Sequence, residues 1–196
     1  MESPYENQPL SSWLKITANI IQRHPLSKKE ITQIVLDSWE SIFNSKIGNT
    51  FLIGKDIFPK PQIIGFFLHE LIPLKLEMRY PDKWRKEKTA SEKDIVYLPD
   101  ETFSIEIKTS SSAKNIYGNR SYAQGSNSSK KSKSGYYLAI NFQSFSATLK
   151  KPQITKIRFG WLDHIDWIGQ AAATGQQARL SPDVEKNKLI TLYELE

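Results

Sequence analysis

The stretch Asp94-Ile-Val-Tyr-Leu-Pro-Asp-Glu-Thr-Phe-Ser-Ile-Glu-Ile-Lys-Thr109 reads as two strands, 94–98 and 102–109, joined by Pro99-Asp100-Glu101. If the connection is a hairpin centred on Asp100, paired residue numbers sum to 200 and Asp94 stands directly opposite Glu106 in an antiparallel ladder. Side chains alternate faces along a strand. Glu106 and Lys108 therefore share one face, while Phe103, Ile105 and Ile107 offer an apolar face for burial. Two acids and one lysine converge.

Such a constellation suits phosphate chemistry. Hard divalent cations such as Mg2+ take carboxylate and carbonyl oxygens, activate water, and neutralise the charge on a phosphate and its leaving alkoxide. A neighbouring lysine either stabilises the charge of a phosphorane-like transition state or orients the attacking water and accepts its proton; both roles stay open. The expectation is a metal-dependent nuclease in which Asp94, Glu106 and the main-chain carbonyl of Ile107 hold the metal and Lys108 assists. The alternative is a surface hairpin whose charged face points at water.

Charge along the chain favours the nuclease. Between Ile107 and Leu162 there is no Asp or Glu, yet ten Lys and Arg residues fall there, a local charge of +10 in a chain whose net charge is +6. The basic excess begins where the acid-bearing strand ends. A positive region of this size attracts a nucleic-acid backbone and releases counterions, while acids confined to one spot hold the metal.

At 196 residues and 39% hydrophobic content, the chain can bury a substantial core as one domain, 1–196. Absence of cysteine removes zinc-finger, iron–sulfur, disulfide and thiol-catalysis readings. His24, His69 and His164 lack metal-ligand spacing. No apolar run is long enough to span a bilayer, and the first residues lack the pattern of a signal peptide; a cytoplasmic protein without membrane association is expected.

The N-terminal third reads as helical. Ser11 to Arg23 forms a short helix closed by Pro25. Ser27-Lys-Lys-Glu30 has the form of a capping box, followed by Ile31, Ile34, Val35, Trp39, Ile42 and Phe43 on one face, with Gly48 ending the helix. A third helix is expected from Pro61 to Leu71, with Pro73 stopping or kinking it. Two helices and a turn also suggest a helix-turn-helix reader, but the broad apolar faces favour core packing. Strands follow at Tyr136–Phe142, Gln153–Trp161 and Leu189–Leu195, with a turn and a short helix over 161–177 between the last two.

From Ser110 to Gly135 runs a long polar segment rich in serine and lysine. Within it, Tyr117-Gly-Asn-Arg-Ser-Tyr-Ala-Gln124 interleaves aromatics with Asn119, Arg120 and Gln124, whose amide and guanidinium groups can read base edges, and with Ser121, which is expected to contact DNA beside them. Lys130, Lys131 and Lys133 suit phosphates, which position a duplex without reading its sequence.

The pattern resembles the PD-(D/E)XK nuclease superfamily, with Asp94 as the first acid and Glu106-Ile107-Lys108 as the second element; Lys93 stands where the nominal proline would be. The resemblance implies an α/β fold, a central mixed sheet flanked by helices, with residues 1–60 as a helical N-terminal elaboration of a catalytic core at 61–196. It also implies an additional acid on the helix before the hairpin. Glu70 fits that position by order and spacing, with Glu77 as a competitor. Within the superfamily the chain looks most like type II restriction endonucleases of the ScaI type. That implies a Mg2+-dependent enzyme cutting double-stranded DNA at a short palindrome, and a homodimer whose two-fold symmetry matches the site. Two rivals remain: a structure-selective repair or recombination nuclease resembling a junction resolvase, and a basic DNA-binding protein without catalysis.

Overall fold

The computed structural model describes residues 2–124, 131–146, 148–149, 151–172 and 174–196. The chain opens with α1 (Leu10–Gln22) and α2 (Lys28–Phe43). The capping box forms as expected: Ser27 Oγ accepts from the Glu30 amide at 3.2 Å, and Glu30 Oε2 accepts from the Ser27 amide at 2.9 Å. Ile31, Ile34, Val35, Trp39 and Ile42 are buried, as their spacing requires. Gly48 does not end this helix. Asn44 caps it, and Gly48, at φ +61°, serves the turn of a small ribbon formed by β1 (Lys46–Ile47) and β2 (Phe51–Leu52).

The next helix, α3 (Pro61–Arg79), runs past the expected end at Leu71. Pro73 lies inside it, buried, because Ile64, Leu68, Ile72 and Leu76 continue one apolar stripe on both sides of the proline. Burial of that stripe outweighs the missing amide and the steric cost that made Pro73 look like a stop.

Six strands form the central sheet: β3 (Trp84–Lys86), β4 (Ile95–Tyr97), β5 (Ile105–Ser110), β7 (Gly135–Phe142), β8 (Ile154–Leu162) and β11 (Leu189–Glu194), in the order β11-β8-β7-β5-β4-β3. Every neighbouring pair is antiparallel except β5 and β7, which are parallel. The sheet is therefore mixed, as expected, with helices packed against it. The link between β4 and β5 is a short 3-10 turn, Glu101–Phe103, capped by Asp100, which replaces the tight hairpin and shortens both expected strands. The edge strand β3, beside β4, carries no alternation that the sequence made visible.

A parallel pair needs a crossover, and here the polar segment supplies it. Its start forms β6 (Tyr117–Asn119) and a 3-10 turn (Arg120–Ala123). β6 joins β10 (Gln177–Leu180) and β9 (Trp167–Gly169) in a second sheet of order β6-β10-β9. Where a turn and a short helix over 161–177 were expected, a 3-10 turn (His164–Asp166) leads into β9, β10 begins only at Gln177, and the helix, α4 (Pro182–Lys188), comes after that stretch.

Alternation along β5, β7 and β8 divides two cores. Ile105, Ile107, Tyr136, Leu138, Ile140, Phe159 and Trp161 face α1, α2 and α3 in the larger one. Tyr137, Ala139 and Leu162 face the opposite way, with Tyr122, Trp167 and Leu180 over them. α3 comes very close to β5 at Gly65, where a Cβ would lie 2.6 Å from Thr109 Oγ1. At the other end of the chain, the buried ammonium of Lys188 bonds Asp166 at 2.8 Å and lies over the rings of Tyr5 and Trp13. Asp163 and Asp166 thus serve a structural pair.

His24 plugs the larger core beneath the hairpin, packed on the rings of Tyr136 and Phe159 at 4.7 and 4.9 Å. Its Nδ1 accepts from the Leu26 amide at 3.1 Å, so the proton sits on Nε2, which donates to the Phe103 carbonyl at 3.1 Å. Burial holds its pKa down to about 4. The unfolded chain carries an ordinary histidine that protonates near 6.5, and between those values protons bind preferentially to the unfolded state. Stability should fall as pH drops from about 6.5 to about 4, by up to roughly 3 kcal/mol from this group. Urea midpoints measured across that range should show the loss, and the slope should flatten in His24→Gln.

Candidate active site

β4 and β5 pair with Ile95 opposite Ile105, the register in which residue numbers sum to 200, and Asp94, just before β4, sets its carboxylate against the Ile107 amide beside Glu106. Burial of Ile105 and Ile107 in the helical core turns Glu106 and Lys108 to the other side of β5, under the crossover. Glu106 is 2% exposed there, and burying a carboxylate costs several kcal/mol unless charges and hydrogen bonds compensate it.

Compensation comes from three lysines on three segments. Lys108 Nζ donates to Glu106 Oε1 at 2.8 Å, and Lys131 Nζ lies 2.7 Å from Glu106 Oε2. Lys93 adds a third positive field. Burial pushes the Glu106 carboxyl up, but Lys108, Lys93 and Lys131 outweigh it and hold it well below the usual carboxylate range. It is therefore an anion at any working pH.

Asp94 is fixed on its inner side. Its Oδ2 accepts from the Ile107 amide at 2.7 Å and lies 3.6 Å from His69 Nδ1. Burial pushes the His69 pKa down, against the pull of Asp94, and the ring is neutral near pH 7. The outer oxygen, Oδ1, accepts from Lys131 Nζ at 2.8 Å. One ammonium thus bridges the two carboxylates.

Tyr122 completes the cluster. Its hydroxyl donates to Glu106 Oε1 and accepts from Lys108 Nζ at 2.9 Å. Burial, then the charge of Glu106, pushes the hydroxyl pKa up, which keeps it a neutral donor. The ammonium groups of Lys108 and Lys133 lie 4.4 and 4.3 Å from the centre of its ring.

The donor set fits a hard divalent cation. Asp94 Oδ1 and Glu106 Oε2 already converge on a single positive charge, and Glu106 Oε2 is buried with no hydrogen-bond donor aligned to it. The Ile107 carbonyl lies on the same side, 3.2 Å from Lys108 Nζ. Among the described residues no group of three or more Asp, Glu, His or Cys could hold a metal, so the two carboxylates would carry the charge of the site.

The other expected residues divide. Glu70 pairs with Lys86 rather than with the acid pair, and Glu77 is likewise outside the contacts of Asp94 and Glu106. In Phe67-Leu-His-Glu70, His69 is the residue that α3 directs to Asp94. Glu87, which the sequence did not single out, has a buried Oε2 without a partner; burial and then Asp94 push its pKa up. Asn119, Ser121 and Gln124 are exposed on the crossover. Arg120 donates to the carbonyls of Ala172 and Gly175 at 3.1 and 3.3 Å, which ties the crossover to those two residues. Lys131 and Lys133 face the acid pair and Tyr122, and Lys130 lies outside the described residues. Tyr122 lies inside the quoted 117–124 segment, where the sequence gives it no role of its own, because nothing local ties it to Glu106, sixteen residues away.

The model of the ScaI restriction endonuclease family matches residues 3–193. The type II restriction enzyme ScaI of Streptomyces caespitosus is 45% identical over 194 residues, covering 98% of this chain and 85% of that enzyme. This chain belongs to the ScaI restriction endonuclease family. The resemblance to type II restriction endonucleases of the ScaI type is borne out, and with it the enzyme class, a DNA endonuclease and hydrolase. Among the described residues, the mixed six-stranded sheet with four helices is consistent with a restriction endonuclease-like fold. Among the described residues no helix is long and apolar enough to cross a membrane.

Within this ScaI family member, Tyr122→Phe should keep the ring against Trp167, at 5.3 Å, and lose only the hydroxyl between Lys108 and Glu106. Single-turnover cleavage should slow about tenfold, the worth of one hydrogen bond to a charged group, with DNA affinity unchanged. Equal loss of affinity and rate would assign Tyr122 to DNA binding instead.

Proposed function

We propose that the chain is a Mg2+-dependent type II restriction endonuclease that hydrolyses phosphodiester bonds of double-stranded DNA at a short palindromic site. The observation that carries this is the pair of carboxylates, Asp94 and Glu106, converging on one cation beside Lys108. Asp94, Glu106 and the Ile107 carbonyl would hold the metal, which when bound supplies Lewis-acid stabilisation of the phosphate and lowers the pKa of water.

The protein's own groups divide the remaining work. Glu106, kept anionic by its lysines, gives the site a negative charge. Lys108, steered by Glu106 and Tyr122, presents an ammonium that offsets charge on the pentacoordinate phosphorus or orients the attacking water. Water oxygen bonds to phosphorus and gives up a proton, one P–O ester bond breaks, and the leaving oxygen takes up a proton to become a hydroxyl, so no net proton is made or lost in the step. Low exposure around Glu106 strengthens each of these interactions.

DNA contact is assigned to the crossover. Exposed Asn119, Ser121 and Gln124 would meet base edges, with Arg120 fixing their frame. Lys130, Lys131 and Lys133 would meet phosphates. We further infer that the chain acts as a single nuclease domain, residues 1–60 elaborating a core at 61–196, and as a homodimer in the cytoplasm, since a two-fold protein places one active site on each strand of a palindrome.

Purified protein incubated with long unmethylated duplex DNA should give discrete fragments only with divalent metal. Asp94→Ala should abolish them, and Lys108→Ala should cut cleavage by at least about a hundredfold while binding persists. A smear would favour nonspecific cleavage, cutting confined to branched DNA would favour a junction-selective enzyme, and intact DNA under every metal condition would overturn catalysis.

A further inference from the structure

We propose that the ammonium of Lys131 is a resident counter-ion of the acid pair that divalent metal displaces, freeing this lysine for a DNA phosphate. This rests on the metal-site reading above and goes beyond it, because it makes metal and DNA binding two halves of one exchange.

Placement is the first ground. Lys131 Nζ lies 2.8 Å from Asp94 Oδ1 and 2.7 Å from Glu106 Oε2, the two oxygens that the metal would need. A dication and an ammonium cannot share them: like charges a few ångströms apart in a poorly hydrated site repel strongly. Lys108 is differently placed, on Glu106 Oε1 and Tyr122, and can stay.

The backbone on which Lys131 rides is the second ground. Lys93 Nζ donates to the Ser132 carbonyl at 2.7 Å, and Tyr137 OH donates to the Lys133 carbonyl at 2.5 Å. Gly135, at φ +139°, leaves room for the Lys93 stem, whose Cε lies 3.3 Å from where a Cβ would be. Lys93 and Tyr137 belong to the sheet region and do not depend on the side chain of Lys131. The ammonium can therefore leave on its own four-carbon stem while the chain at 132–133 stays docked.

The third ground is the charge ledger. Without metal, Lys93, Lys108 and Lys131 face two carboxylates, and the pocket is balanced well enough to fold. With a dication, the same pocket carries an excess of three positive charges until Lys131 departs, and a phosphate at the rim is the natural acceptor for it. Metal should thus raise DNA affinity by supplying one more phosphate contact, and DNA should raise metal affinity by the same factor.

Two measurements on the full chain without DNA test this, with Mn2+ as the probe. Amine acylation followed by mass spectrometry should show Lys131 slow to react without metal and several-fold faster at saturating Mn2+. Mn2+ affinity, read by electron paramagnetic resonance, should tighten roughly tenfold in Lys131→Met, since no ion pair must then be broken. Wild-type acylation needs no variant, so a folding defect in Lys131→Met leaves the test intact. Mn2+ binding that is lost in Asp94→Ala but leaves Lys131 reactivity unchanged would overturn the exchange alone. Absence of any Asp94-dependent Mn2+ binding would overturn the metal site and the exchange together.

Discussion

A carboxylate with 2% exposure must find positive charge, and Glu106 organises much of the molecule around that need. Its partners come from β5 itself, from the residue before Asp94, and from the far end of the crossover. Without them the acid would protonate or drag water into the smaller core. With them it stays anionic, and the polar 110–135 segment acquires a docking point that its own composition could not provide.

Topology makes this possible. Because β5 and β7 are parallel, the chain between them must travel the length of the sheet and cover one face. That face holds Glu106 and Lys108, so the crossover that closes the parallel pair also roofs the acids, bringing Tyr122 and Lys131 over them. The helices occupy the other face, and α3, drawn close to β5 by Gly65, delivers His69 to the edge where Asp94 waits. Structural and chemical demands are met by opposite sides of the same strand.

Much of this was legible in the residues. Alternation in Ile105-Glu-Ile-Lys108 and one pairing rule sufficed to give the register of Ile95 with Ile105 and to bring Asp94 near Glu106, since strand geometry has period two and little freedom. The capping box was legible because it is local. Pro73 misled because a local rule lost to a tertiary stripe, and the 161–177 segment misled because β9 pairs with β10, which pairs in turn with β6, about sixty residues earlier, a partner no local pattern announces. Tyr122, Lys93 and the bridging position of Lys131 depend on where a long crossover lands. Serine and lysine in abundance look the same whether a loop is solvated or folded over an acid pair, and Glu70 fitted by spacing while a quarter-turn on the helix gave the contact to His69.

The proposal that Asp94 and Glu106 share a catalytic metal rests on their convergence on one ammonium. Anomalous diffraction from crystals grown or soaked with Mn2+ addresses it directly. The account predicts a single strong peak per active site bounded by carboxylate oxygens of Asp94 and Glu106, with the Lys131 ammonium moved away. A peak held by other residues, or none at Mn2+ concentrations that support cleavage, would contradict it.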